Sequence, residues 1–225
     1  MSKDLLFEID QDHFRENFNK YTRKAFQLLP ELEKPRILDI GCGSGVATIE
    51  LAKLNNGEII GIDIDQSLLD KLNRKIEEKG FSNRMKVLKC SLFEMDFPDE
   101  YFDIIWSEGS IYIIGFEKGL KEWSRLLKTN GFLVVHDEKT NISNKLKKIP
   151  NCGYKLINYF SLPEDAWWTE YYNPLEIRIK ELRKKYGNDP ETLKIFKKYQ
   201  NEIDMVKKNH KDYGSIFYIM QKLIH

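Results

Sequence analysis

Cysteine is scarce in this chain, and neither sign of charge dominates. The three cysteines, Cys42, Cys90 and Cys152, lie far apart and match no zinc-ligand spacing. They read as reduced thiols of an intracellular protein. Lysine plus arginine total 36 against 35 for aspartate plus glutamate, a net charge of +1. That balance gives no general polyanion-binding surface, and no nucleic-acid partner is expected. No apolar run approaches membrane-spanning length, and residues 1–10 carry acids and lack a signal-peptide core. The cytoplasm is the expected location, without a membrane partner. No repeat of fixed period is visible. At 225 residues and 41% hydrophobic, the chain suits one domain with a real core.

The stretch Ile37-Leu38-Asp39-Ile40-Gly41-Cys42-Gly43-Ser44-Gly45 is where the chain is most specific. It reads as a buried strand, a tight loop and a helix start. Glycines at alternate positions let a ligand approach the backbone, and some of those positions need positive φ. Amides at the helix start can then face an anion. A dinucleotide loop would carry a third glycine where Val46 stands. Asp39, where the strand ends, gains nothing from a pyrophosphate but suits a ligand with an ammonium group.

Ser44 is the expected cap of the following helix, whose buried side carries Val46, Ile49, Leu51 and Leu54. Residues 58–63 form a second buried strand ending in Asp63, about twenty residues past the loop, where a carboxylate meets a ribose diol in doubly wound folds. Asp65 is placed to cap the next helix, which Gly80 ends. A third strand near 86–89 leads into Cys90-Ser91-Leu92. The fourth runs through Trp106 and carries on into Ser107, Glu108 and Tyr112, which are site candidates because strand ends at the carboxyl edge line the binding crevice. Phe116, Leu120, Trp123 and Leu127 form a helical face, with Trp123 in the core. The fifth strand ends in His136-Asp137-Glu138, whose alternating directions keep them from converging on a metal.

Residues 11–29 read as one helix, with His13 a surface or packing residue. Residues 154–160 read as a sixth strand and 213–220 as a closing one. Between them lie the aromatic loop Trp167-Trp168-Thr169-Glu170-Tyr171-Tyr172 and two helices starting at Asn173-Pro174 and Asp189-Pro190. The aromatics either anchor this insertion or wall a binding site.

The run Asp39-x-Gly41-x-Gly43-x-Gly45, with Asp63 and Phe102-Asp103 after Phe97-Pro98-Asp99, resembles the class I S-adenosylmethionine-dependent methyltransferases over most of the chain. Residues 106–117, Leu162-Pro163-Glu164 and Trp168-Thr169-Glu170 resemble a bacterial and archaeal subgroup of uncharacterised small-molecule methyltransferases. The resemblance implies a Rossmann-like, doubly wound, seven-stranded and mostly parallel sheet, its last strand antiparallel, with a helical insertion between strands six and seven. It implies a single domain over 1–225, with a helical cover at 1–30, a cofactor-binding core at 31–140 and a substrate-side region at 141–225.

S-adenosylmethionine is the implied cofactor, with S-adenosylhomocysteine as product. Its expected site is Asp39, Gly41, Cys42, Gly43, Asp63, Ile64, Ser91, Leu92 and Ser107. The family often has Asp at the position of Ser91, where it contacts the adenine amino group; a serine hydroxyl makes a weaker bond. Glu108 is the candidate base, and Tyr112, Trp168 and Tyr171 are the candidate substrate residues. The expected activity is methyl transfer to N, O or S of a small molecule, by a monomer or homodimer. RNA or protein methylation and non-catalytic adenosyl-ligand binding are the alternatives.

Overall fold

The computed structural model of the chain describes residues 2–187, 189–209 and 213–223. They form two compact units. A sheet unit takes Asn19–Ser161 and the final strand. A helical unit takes the described residues up to Phe18 and those of Leu162–Gly214. The helix Asn19–Gln27 and the segment 141–161 belong to the sheet unit. Strand pairing explains the latter: residues 154–161 pair along the closing strand.

Seven strands build the sheet: β1 Arg36–Ile40, β2 Glu58–Asp63, β3 Met85–Lys89, β4 Phe102–Glu108, β5 Leu127–Glu138, β6 Tyr154–Ser161 and β7 Ser215–Lys222. Their order is β3-β2-β1-β4-β5-β7-β6. All pairs from β3 to β5 are parallel; β7 is antiparallel to both β5 and β6. The sheet is therefore seven-stranded and mostly parallel, with its last strand reversed and helices inserted between the sixth and seventh strands. Leu38 of β1 sits opposite Ile60 of β2 and Ile105 of β4. From β1 the chain winds first to one side and then to the other, and this reversal opens a crevice outside the strands' carboxyl ends.

Local sequence sets the helix limits. In Gln66–Glu78, Leu69, Leu72 and Ile76 are buried at spacings of three and four. Asp65 caps it by accepting the Ser67 amide at 2.8 Å. At the other end Gly80 takes φ +72° and the Phe81 amide reaches back to the Ile76 carbonyl, closing the turn.

Several local expectations change. Helix Val46–Leu54 has Gly45, at φ +83°, in the capping position given to Ser44. The segment 11–29 is not one helix: Gln11–Arg15 is followed by a 3₁₀ turn at Glu16–Phe18 and then by Asn19–Gln27. β4 stops at Glu108, because Gly109 adopts φ +72° and Ile111–Ile114 forms a short helix. The aromatic segment is not a plain loop, since Trp168–Tyr172 forms a π-helical turn running into Asn173–Tyr186. Trp123 is fully buried, in the core as expected.

Candidate functional site

The site is built at the carboxyl ends of β1, β2 and β4, within the sheet unit. The loop after β1 turns with Gly41 at φ +75° and Gly43 at φ +53°, a region that side chains disfavour. The amides of Gly41 and Cys42 donate to the Ile62 carbonyl at 2.9 and 3.0 Å, pinning the loop to β2. A Cβ on Gly41 would lie 2.5 Å from the Ser110 hydroxyl, whereas one on Gly43 would meet nothing within 4 Å. Gly43 is thus open on its Cβ side, but of the two it is Gly41 that lines the pocket described next.

Asp63, at the end of β2, accepts the Gly43 amide on Oδ2 at 3.0 Å and the Asp65 amide on Oδ1 at 2.9 Å. Each carboxylate oxygen has a second acceptor position, so the group retains capacity for a diol. Asp63 lines a pocket together with Gly41, Ile64, Ser91 and Leu92. Five residues expected from the sequence thus meet around one cavity. Ile62, Cys90, Phe93, Gly109, Ser110 and Ile113 complete its wall and were not expected. Cys90 and Phe93 flank the Ser91-Leu92 pair that marks the place. Ser110 carries no comparable signal.

Ser110 ties two strands together beneath the pocket. Its hydroxyl donates to the Ile40 carbonyl at 2.7 Å and lies 2.8 Å from Ser107 Oγ. Ser107 is fully buried behind it and is not part of the pocket wall. Ser91 Oγ accepts the Phe93 amide at 3.2 Å, which shapes the turn after β3. Cys42 is buried, and a Cβ on Gly61 would sit 3.0 Å from its Sγ, so this thiol packs against β2. Burial raises its pKa, which leaves it protonated.

Asp39 lies behind the loop, 2% exposed, with Oδ2 accepting the Thr48 hydroxyl at 2.6 Å. Burial pushes its pKa up to about 7, against the Thr48 hydrogen bond, and the charges of Glu108 and Asp63 push the same way. The carboxyl therefore titrates near neutrality, where a cation beside it would fix the charged form.

Glu108 is held rather than presented. Its Oε1 accepts the Thr22 hydroxyl at 2.8 Å and the Trp106 indole N–H at 2.9 Å, while Oε2 lies 3.8 Å from His136 Nδ1. The side chain is only 7% exposed. His136 stacks on Phe217 with ring centres 4.3 Å apart. Tyr112, on Ile111–Ile114, is 62% exposed; its neighbour Ile113 reaches the pocket wall.

The other two candidate substrate residues belong to the helical unit. Trp168 is half-buried, with Lys207 Nζ 5.4 Å from its ring centre. Tyr171 is buried, and its hydroxyl accepts a bond from Gln11 at 2.8 Å. Among the described residues no group of three or more His, Cys, Asp or Glu is placed to hold a metal ion. Among the same residues no helix is long and apolar enough to cross a membrane.

This arrangement of loop, strand-end acid and reversed seventh strand is the class I S-adenosylmethionine-dependent methyltransferase fold. Residues 32–178 match the family model described as a methyltransferase domain, and the chain belongs to that family. It is 31% identical over 137 residues to an uncharacterised protein of Haemophilus influenzae, covering 59% of this chain and 54% of the relative. It is 30% identical over 131 residues to the ubiquinone/menaquinone biosynthesis C-methyltransferase UbiE of Proteus mirabilis, covering 57% and 51% respectively. The chain spans about half the length of these curated relatives. Among solved structures it is similar to an S-adenosylmethionine-dependent methyltransferase from Geobacter sulfurreducens in complex with S-adenosyl-L-homocysteine. That likeness has a TM-score of 0.72 at 16% identity, over 92% of this chain and 90% of the other.

Proposed function

We propose that this protein is an S-adenosylmethionine-dependent methyltransferase with a small-molecule acceptor. One observation carries the reading: Asp63 lines the pocket while both of its oxygens are fixed by backbone amides, one of them from the glycine loop. A carboxylate so oriented suits the two hydroxyls of a ribose. Ile64, Leu92 and Ile113 supply an apolar wall for a flat base, while Asp39, buried behind the loop, would act on an ammonium group from across the glycine backbone. The residues present therefore fit an adenosyl amino acid.

When bound, the cofactor would supply a methyl group already activated on a sulfonium. The protein's part is then to align the acceptor and exclude water. Ser91 and Leu92 would bind the adenine edge, and Gly41 with Gly43 would let the amino-acid end approach the backbone. Cys42 and Ser107 act from behind as packing beneath the loop and β4. Glu108 was the candidate base by position; its Oε1 already holds Thr22 and Trp106, and we assign it to anchoring the end of β4. We assign acceptor recognition to Tyr112 and to the aromatic segment with Trp168 and Tyr171.

Nitrogen, oxygen and sulfur acceptors suit direct displacement. The Proteus relative is named a C-methyltransferase, so a nucleophilic carbon joins the class. The test is transfer of a labelled methyl group from S-adenosylmethionine into fractionated cell extract. Label in small metabolites is the expected result. Label confined to RNA or protein would assign a macromolecular acceptor, and label nowhere would leave only ligand binding.

A further inference from the structure

The helical unit holds an arginine with one buried guanidinium nitrogen that lacks a hydrogen-bond partner among the described residues. Arg15 ends the short helix Gln11–Arg15. Its guanidinium carbon lies 4.9 Å from the centre of the Trp167 ring and 5.2 Å from that of Phe18. Its Nη1 is shielded from solvent and, among the described residues, bonds to no acceptor. Ring faces attract a cation but do not replace the acceptor that a desolvated N–H requires. A guanidinium nitrogen withdrawn from water is expected to meet a carboxylate or a carbonyl, and among the described residues none bonds to it.

A second donor stands near it. Tyr171 packs edge-on to Trp167, with ring centres 6.0 Å apart. Its hydroxyl oxygen accepts from Gln11, whose own oxygen accepts from the Tyr199 hydroxyl at 2.9 Å. This chain of bonds fixes Gln11 between two tyrosines and leaves the Tyr171 O–H free to donate. Burial pushes the Tyr171 phenol up to about 12, so it keeps that proton at neutral pH, and Arg15 is among the charges acting on it. Glu202, the acid whose charge acts on it, accepts the Tyr172 hydroxyl at 2.9 Å.

We propose that the helical unit binds the oxyanion of a small organic molecule, a carboxylate or a phosphate monoester, through Arg15 with Tyr171 as second donor. The planar guanidinium suits either group, since both present paired oxygens to its N–H fork. Trp167, which is half-buried, offers apolar surface beside the guanidinium for the body of such a molecule, while Phe18 is itself buried. The aromatic run Trp167–Tyr172 then serves as a specificity element that reads charge as well as shape.

Calorimetric titration of the full chain, without cofactor, tests the site with three probes: benzoate, phenyl phosphate and the neutral isostere benzamide. One of the two anions is expected to bind and benzamide is not; the preferred anion distinguishes carboxylate from phosphate. Arg15→Met is expected to weaken anion binding by roughly tenfold or more, since a charge-assisted pair is lost. It should leave the melting temperature unchanged or raised, because the methionine stem still packs on the rings while a desolvated charge is removed. Tyr171→Phe should weaken binding by a few-fold with the fold intact, and it serves if the arginine variant does not fold. Equal binding of benzoate and benzamide, no binding of either anion, or unchanged binding in both variants would overturn the proposal. A parallel titration with S-adenosylhomocysteine separates the two readings. Anion binding without it keeps this site and removes the methyl-transfer function, while the reverse removes only this site.

Discussion

The backbone amide of Gly43 donates to Asp63 Oδ2 at 3.0 Å, joining the loop after β1 to the acid that ends β2. Two features separated by twenty residues thus form one device. The carboxylate that would hold a ribose also holds the loop that shapes the adjacent space. Replacing Asp63 by alanine removes both effects. S-Adenosylmethionine affinity is predicted to fall by roughly 1.5–3 kcal/mol, the range for bonds to a charged group. Calorimetry on the folded variant checks this, and unchanged affinity would refute the ribose assignment.

The two loop glycines should differ in their tolerance of a methyl group. At Gly43 a Cβ meets only the backbone strain of positive φ, roughly 1–2 kcal/mol. At Gly41 it also runs into Ser110. Gly41→Ala is predicted to lower the melting temperature more than Gly43→Ala. Adding Ser110→Gly to Gly41→Ala should recover part of the loss, a coupling that a double-mutant cycle measures.

Much of this site was legible in the sequence, and the parts that were not share a cause. Asp63, Gly41 and Leu92 follow from local pattern: an apolar strand, then the residue type its end requires. Ser110 does not, because its role depends on β4 turning back until its hydroxyl meets the Ile40 carbonyl, seventy residues earlier. Glu108 ends β4, where the pattern alone carries the strand on to Tyr112. Its engagement by Thr22, 86 residues away, has no signature in the residues around it. The π-helical turn at Trp168–Tyr172 was hidden by composition, since an aromatic cluster between prolines reads equally as loop or helix.

Asp39 links the fold to pH. Its folded pKa, about 7, stands above the ordinary value of 3.8 because the carboxyl is buried. The folded state therefore binds the extra proton, and stability falls as pH rises from about 4 to about 7. Asp39→Asn should stabilise the protein relative to the native chain more at about pH 8 than at about pH 5, by roughly 2–3 kcal/mol, since only about two units of the shift fall within that interval. Denaturant melts at both pH values measure it. An ammonium bound beside Asp39 favours its charged form, so cofactor affinity should rise across the same interval.

Glu108 anchors three elements by its carboxylate, through Thr22, Trp106 and His136. Glu108→Ala strands two buried donors, each at a cost of about 1–3 kcal/mol, and should melt early. Glu108→Gln keeps an acceptor for both. It is predicted to retain most of the stability and most of the methyl-transfer rate. A collapse of kcat at normal cofactor affinity and normal melting temperature would restore Glu108 as a base.

The most direct test of the central claim is a paired calorimetric titration of the native chain with S-adenosylhomocysteine and with NAD. The glycine loop lacks the third dinucleotide glycine, with Val46 in its place, and Asp63, proposed above to hold a ribose diol, lines the pocket. Saturable binding of S-adenosylhomocysteine and no response to NAD is the predicted result. Saturable binding of NAD without S-adenosylhomocysteine would contradict it.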